Sequence, residues 1–282
     1  DSNPGRWEQV AKLLPQDLRP GDRFGESMAL AGDVLLIASP RAGVWETIFD
    51  DDGNEIETEV VISAGKVSLW EWDAAQETFC EILTIQPEDV REFDWYGTSL
   101  AIAQDIEDPT RYLFAVGAPR RDSDDGVITD RGIVYLYEYQ NGIATLLTTF
   151  EGGYENGLTG SSLAISQNPI DLHWFLASGA PTASSLQGRV ENWHAFPSNL
   201  SLWFANTPLQ VSGSSAESEF GISLAMTEKD LVVGAPAADD ALGRVYAFRR
   251  DGSYGWQSSQ VLTMPGDQQE GRFGSSLSIS SD

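Results

Sequence analysis

Carboxylates dominate the chemistry this chain can offer. Forty-three Asp and Glu stand against 17 Lys and Arg, two histidines and one cysteine, a formal charge of −26 at pH 7. Two acid-rich, glycine-containing stretches have the form of calcium turns, in which oxygens converge on a hard cation and the glycine permits the tight bend. They are Asp122-Ser123-Asp124-Asp125-Gly126 with Asp130, and Asp50-Asp51-Asp52-Gly53-Asn54. Both lack the distal glutamate of an EF-hand loop, and Asp-Gly is also a favoured turn dipeptide, so calcium and a plain turn are both open readings. His173, beside Trp174, and His194, after Trp193, read as packed or surface histidines. Neither stands in a pattern that activates a nucleophile. Separated carboxylates can hydrolyse glycosides, but the spacing singles out no pair. The expectation is therefore that no residue is catalytic and that the chain is not an enzyme, with a glycan-active enzyme as an alternative. Cys80, in Phe79-Cys80-Glu81-Ile82, excludes an internal disulfide framework and reads as a small half-buried residue. Asn199-Leu200-Ser201 fits a glycosylation acceptor.

The charge also sets what the chain can meet. A field of this sign repels phosphate backbones and anionic lipid, which excludes nucleic acid and direct membrane insertion as partners. No run of about 18 apolar residues is long enough to span a bilayer. With only Lys12, Lys66 and Lys229, the surface suits a protein working in salt water, or one that holds divalent cations or basic partners. The chain starts at Asp1 without a charged, apolar leader, as if within a larger polypeptide.

The elements that position these residues repeat. Five Gly-x-Ser steps open strands that alternate small and large residues, at Gly25, Gly97, Gly160, Gly221 and Gly274, at intervals of 72, 63, 61 and 53 residues. These intervals suit one four-stranded propeller blade each. A second apolar run ends at Pro40, Pro119, Pro181 and Pro236, the last three as Gly-Ala-Pro, where proline removes a ladder donor and stops the strand. A third strand starts at Gly65, Gly132, Gly188 and Gly243 and runs into aromatics such as Trp70, Trp72, Tyr135, Tyr137, Trp193 and Tyr246. A fourth, more exposed strand is clearest at Trp7 to Leu14 and Trp256 to Met264. Ser27, Ala29, Ser99, Ala101, Ser162, Ala164, Ser223 and Ala225 supply a small face at a crowded axis, and no charge falls on either face of these inner strands. A β-sandwich would instead alternate apolar with charged. The fold expected is an all-β propeller of four-stranded antiparallel blades forming one domain over 1–282, with repeats near 5–75, 76–140, 141–198, 199–252 and a partial one over 253–282. The best helical candidate is a short stretch at Pro87 to Arg91.

Phe-Gly-x-Ser, Gly-Ala-Pro and Gly-x-Val-Tyr together resemble the FG-GAP repeat, which builds the seven-bladed propeller of integrin α subunits. Trp7 to Leu13, Gly21-Asp22-Arg23-Phe24-Gly25 and Gly32-Asp33-Val34-Leu35 look most like the version in large surface proteins of bacteria and marine microbes. The resemblance implies an extracellular or cell-surface interaction or adhesion domain that binds protein or glycan partners, beside other parts of its parent polypeptide. It also implies calcium in the hairpin between first and second strands. Here those hairpins, at Ala31 to Asp33, Gln104 to Pro109, Gln167 to Asp171 and Thr227 to Asp230, lack the glycine and full ligand set, so the calcium role is not carried over. A purely structural spacer is a further alternative. Trp45 and Trp95 read as loop residues that face a ligand, whereas Trp70, Trp72 and Trp193 read as core. The insert Val44 to Ala64 reads as a protruding hairpin or loop. Because the fifth repeat stops at Asp282, the chain reads as an open arc of about four blades cut from a larger ring, of seven by analogy with the resembling family.

Overall fold

The structure, a computed structural model, describes residues 9–50, 53–184, 186–211, 218–250, 252, 254–264 and 271–280. Four antiparallel sheets of four strands follow one another along the chain. The first holds β1 (Met28–Ala31), β2 (Val34–Ser39), β5 (Lys66–Asp73) and β6 (Thr78–Ile85), with the hairpin β3 (Val44–Phe49) and β4 (Glu55–Val61) inserted between its second and third strands. The second is β7 (Ser99–Gln104), β8 (Arg111–Ala118), β9 (Ile133–Gln140) and β10 (Ile143–Glu151). The third is β11 (Ser162–Gln167), β12 (Trp174–Ala180), β13 (Arg189–Ala195) and β14 (Trp203–Ala205). The fourth is β15 (Ser223–Met226), β16 (Asp230–Ala235), β17 (Arg244–Arg250) and β18 (Trp256–Thr263). This is an all-β propeller built of blades, as the repeats predict. The fourth strand closes the blade opened by the preceding Gly-x-Ser step, so β6, over 78–85, pairs with β5 rather than opening the next repeat. Pro87 to Arg91 forms a turn and no helix. One helical turn, Ala238–Ala241, has left-handed φ at Asp239 and Asp240 and is irregular.

The core lies between sheets rather than within one, as expected where blades pack face to face. Leu36, Leu69, Tyr96, Phe114 and Tyr135 fill the seam between blades 1 and 2. Leu113, Leu136, Leu163, Trp174 and Leu176 fill the second seam, and Phe220, Leu231, Val233, Tyr246 and Phe248 belong to the third. Trp70 and Trp193 are buried as expected, but Trp72 is 37% exposed and meets Phe79 edge-on, so it belongs to the surface.

The motif residues themselves form the seams. The hydroxyls of the first four Gly-x-Ser steps donate to the carbonyl of the next repeat's glycine: Ser27 to Gly97 at 2.7 Å, and Ser99 to Gly160, Ser162 to Gly221 and Ser223 to Gly274 at 2.6 Å. The Gly-Ala-Pro glycines sit against the same carbonyls, so a Cβ on Gly117, Gly179 or Gly234 would overlap the oxygen of Gly160, Gly221 or Gly274. Gly132, Gly188 and Gly243 make parallel bridges to Thr159, Phe220 and Phe273. The fifth repeat contributes Phe273 and Gly274 to the last seam, and residues 274–280 form no strand.

Inner strands β1, β7, β11 and β15 lie side by side in that order, and β1 and β15 do not pack as neighbours. Accordingly Met28 and Leu30 on β1 are exposed, whereas their counterparts on β11, Leu163 and Ile165, are buried. Residues 9–14 are not in a strand, and the remainder of the expected Trp7 to Leu14 strand lies outside the described residues.

Candidate recognition site

Loops from a fourth strand to the next first strand, and from a second to a third strand, share one end of the blades. Arginines gather there: ten of the 14 in the chain, from Arg19 to Arg272, lie in these loops or at the strand ends beside them. Two adjacent repeats build the densest group, from Asp22-Arg23-Phe24-Gly25 and Asp94-Trp95-Tyr96-Gly97. In each turn the buried aspartate accepts a backbone N–H three residues earlier, Arg19 N to Asp22 Oδ2 at 3.0 Å and Arg91 N to Asp94 Oδ2 at 2.8 Å. Each carboxylate also meets a buried cation from its blade: Lys66 stands 3.8 Å from Asp22, and Arg121 donates to Asp94 at 2.8 Å. Burial raises the pKa of Asp94, opposed by Arg121 and the Arg91 amide.

These caps hold the next residue in a left-handed conformation, φ 58° at Arg23 and 56° at Trp95. A side chain there costs roughly 1–2 kcal/mol, which the surrounding contacts must offset. Leu158, Glu219 and Arg272 occupy the same position in the other repeats with φ of 56°, 53° and 46°. The repeat therefore presents one side chain per turn at this end, and the first two are an arginine and a tryptophan.

Trp95 is not an open platform. The Arg41 guanidinium lies 3.6 Å and that of Arg120 4.2 Å from its ring centroid. Its indole Nε1 is buried and without a hydrogen-bond partner among the described residues. Trp45, on β3 rather than in a loop, carries Arg19 at 4.1 Å. Arg23, Arg41, Trp45, Ile62 and Ser63 help line a cleft of about 390 Å³. Arg23 faces Glu26 at 3.4 Å and Arg120 faces Asp130 at 3.9 Å, both on the surface. The Arg41 side chain makes no hydrogen bond or ion pair among the described residues. Desolvation, with Arg23 and Arg120 nearby, lowers its pKa, against Glu26. Such a group of forked cations over indoles suits a planar anion.

The two acid-rich stretches are turns. Asp122 Oδ1 accepts Asp130 N at 2.8 Å, Asp125 Oδ1 accepts the Ser123 hydroxyl at 2.5 Å and Val127 N at 3.0 Å, and Asp124 pairs with Arg91 at 2.9 Å. Asp50 Oδ1 accepts Asn54 N at 2.8 Å; Asp51 and Asp52 lie outside the described residues. Among the described residues no three or more His, Cys, Asp or Glu side chains are grouped to hold a metal ion. In the hairpin where the resembling family places calcium, Asp105 is instead buried against Arg111 at 2.5 Å.

At the opposite end, His194 stacks flat on Tyr254 at 4.1 Å and bonds Asn206 through Nδ1 at 2.9 Å. His173 packs edge-on against Phe196 at 4.6 Å. Arg250 lies 3.2 Å from the Phe175 ring centroid with its three guanidinium nitrogens unpartnered among the described residues, and burial, against Asp171 and Glu228, brings its pKa down to about 10. These histidines are packed between blades 3 and 4, as their aromatic neighbours in sequence suggest. Cys80 is half-buried on β6, and Asn199 is exposed with its Oδ1 accepting Ser201 N at 3.2 Å.

Comparison with known proteins places the first of these repeats. Residues 7–55 match the FG-GAP repeat. None of the curated proteins searched matches the chain. Among solved structures it is similar to the periplasmic gluconolactonase PpgL of Pseudomonas aeruginosa, at 10% identity and a TM-score of 0.48, over 86% of this chain and 59% of that one. The chain thus spans less than two thirds of that structure's length. This finding corrects the expectation that the chain is not an enzyme, since a protein of similar build is one. It carries no substrate or catalytic residue to this chain. Among the described residues no helix is long and apolar enough to cross a membrane.

Proposed function

We propose that this FG-GAP propeller is a recognition domain of a surface or secreted protein, binding a glycan or protein partner through the arginine- and tryptophan-bearing end of blades 1 and 2. The observation that carries this reading is Arg41, a cation stacked on Trp95 beside Arg23 and Arg120 whose side chain makes no hydrogen bond or ion pair among the described residues. In a chain of net charge −26 acids are abundant, so structural pairing would have been easy to supply. Arg, Trp and Tyr also dominate binding hot spots. Location outside the cytoplasm fits the FG-GAP match and the acid-rich, lysine-poor surface.

The test is a panel of immobilised glycans and matrix proteins probed with the whole chain. The expected result is at least one bound member, lost when Trp45→Ala and Arg23→Ala are combined, with the unfolding midpoint unchanged. A folded protein that binds nothing on the panel would leave the propeller as a spacer.

A further inference from the structure

We infer that the cleft bounded by Arg23, Arg41 and Trp45, with Trp95 and Arg120 alongside, binds a carboxylate-bearing sugar, a hexuronate unit of an acidic glycan. This rests on the recognition reading and names its ligand class. The donor of the cleft that has no acceptor among the described residues is the Arg41 guanidinium, which stacks on the Trp95 ring. A ligand carboxylate supplies the acceptor that Arg41 lacks among the described residues. Desolvation and the like charges of Arg23 and Arg120, against Glu26, burden the Arg41 cation, and an incoming anion offsets the like charges.

The surroundings select the kind of anion. Glu26 and Asp130 stand beside the outer arginines, and the molecule as a whole is strongly negative, so a long run of negative charge would be repelled beyond the cleft. A short uronate segment, with a single carboxylate on each apolar-faced ring, meets less of that repulsion than a dense polyanion. Its planar pair of oxygens matches a guanidinium fork, while a pyranose ring offers apolar C–H faces to Trp45 and Ile62 in the cleft of about 390 Å³. An acidic peptide side chain offers the carboxylate without the ring face.

The experiment is titration calorimetry with trigalacturonate, its neutral methyl ester and hexaglutamate. The whole chain is compared with Arg41→Gln and Arg120→Gln, whose unfolding midpoints are measured alongside. Trigalacturonate is expected to bind, at least tenfold more weakly to folded Arg41→Gln, with the ester at least tenfold weaker than the acid on the unaltered protein. Should either variant unfold early, the comparison rests on the other. Absence of trigalacturonate binding, binding undiminished in both variants, or hexaglutamate binding as tightly as trigalacturonate would overturn the inference. If the wider panel is bound while trigalacturonate is not, only the ligand class fails; if neither binds, the recognition reading falls with it.

Discussion

The smallest residues in this chain have the most exacting roles. Gly117 packs where a methyl would overlap both the Gly160 carbonyl and the Ser99 hydroxyl. Gly117→Ala is expected to lower stability by about 3 kcal/mol or more, through forced separation of the blades. Blade 1 carries Ala38 at this position and its seam accommodates the methyl, so the test belongs to the second seam. Ser99→Ala removes one buried hydrogen bond and leaves the Gly160 carbonyl without that donor, costing about 1 to 2 kcal/mol. Denaturant unfolding of both variants checks the order; equal midpoints would show that the seam is not held by these atoms. Arg121 answers the buried Asp94 and also Asp89, so Arg121→Ala is expected to cost about 3–5 kcal/mol by stranding a buried carboxylate. Asp94→Asn combined with it should recover part of that loss. The small face of the inner strands was legible from period-two alternation, but the reason for serine was not, because its partner lies some 60 residues away in the next blade. The arginine cluster has a signal in the sequence outside the repeat motifs. Arg41 and Arg120 both directly follow the strand-ending proline, while the later repeats have Thr182 and Ala237 there.

Whole elements were easier to foresee where insertion or repetition marked them. Within the insert Val44 to Ala64, β3 and β4 pair with each other and, among the described residues, with no other strand, while the Ile62 and Ala64 carbonyls at its end accept Phe93 N and Tyr96 N; the length of the hairpin therefore breaks the repeat interval without disturbing the blade. Shortening it to a tight turn between Trp45 and Ile62 should leave the unfolding transition nearly unchanged, checked by thermal melting. A fall of more than a few degrees would mean that the hairpin supports blade 1. The aromatic cluster between blades 3 and 4 was only half legible, since the sequence shows each histidine beside a tryptophan but not the partner blade. Burial lowers the pKa of His194 below the usual value near 6.5; the Asn206 hydrogen bond opposes this, and His173 and Arg250 add to it. The unfolded chain therefore takes up the proton first, so this contribution to stability is present above about pH 6.5 and is lost as the pH falls below it. The unfolding midpoint of the unaltered chain should drop between pH 7 and pH 5 by more than that of His194→Phe. Parallel curves would remove His194 as the cause.

For the whole molecule, repetition fixed the architecture while charge left the function open. The Gly-x-Ser and Gly-Ala-Pro steps recur because the seams reuse one close approach, relaxed only where Ala38 replaces the glycine, and such a signal survives without knowledge of the rest of the chain. Charge carries no such period. Its formal value of −26 means that the compact state holds like charges closer together than the unfolded chain does. Most of the ion pairs that oppose this have at least one exposed partner, and pairs of that kind typically contribute about 0–1 kcal/mol each, while the buried Arg121 and Asp94 pair is little screened. Self-repulsion should therefore prevail over surface pairing in the response to salt. Raising sodium chloride from about 10 mM to about 500 mM shortens the Debye length from roughly 30 Å to a few ångströms. The expected result is a rise of several degrees in the thermal midpoint, most of it complete by about 150 mM, where the screening length is already about 8 Å. Potassium glutamate at equal ionic strength should act similarly if screening is the cause, which separates it from a specific chloride effect at the arginine cleft. A midpoint that falls with salt would show instead that surface ion pairs, including those of Arg23 and Arg120, hold this propeller together.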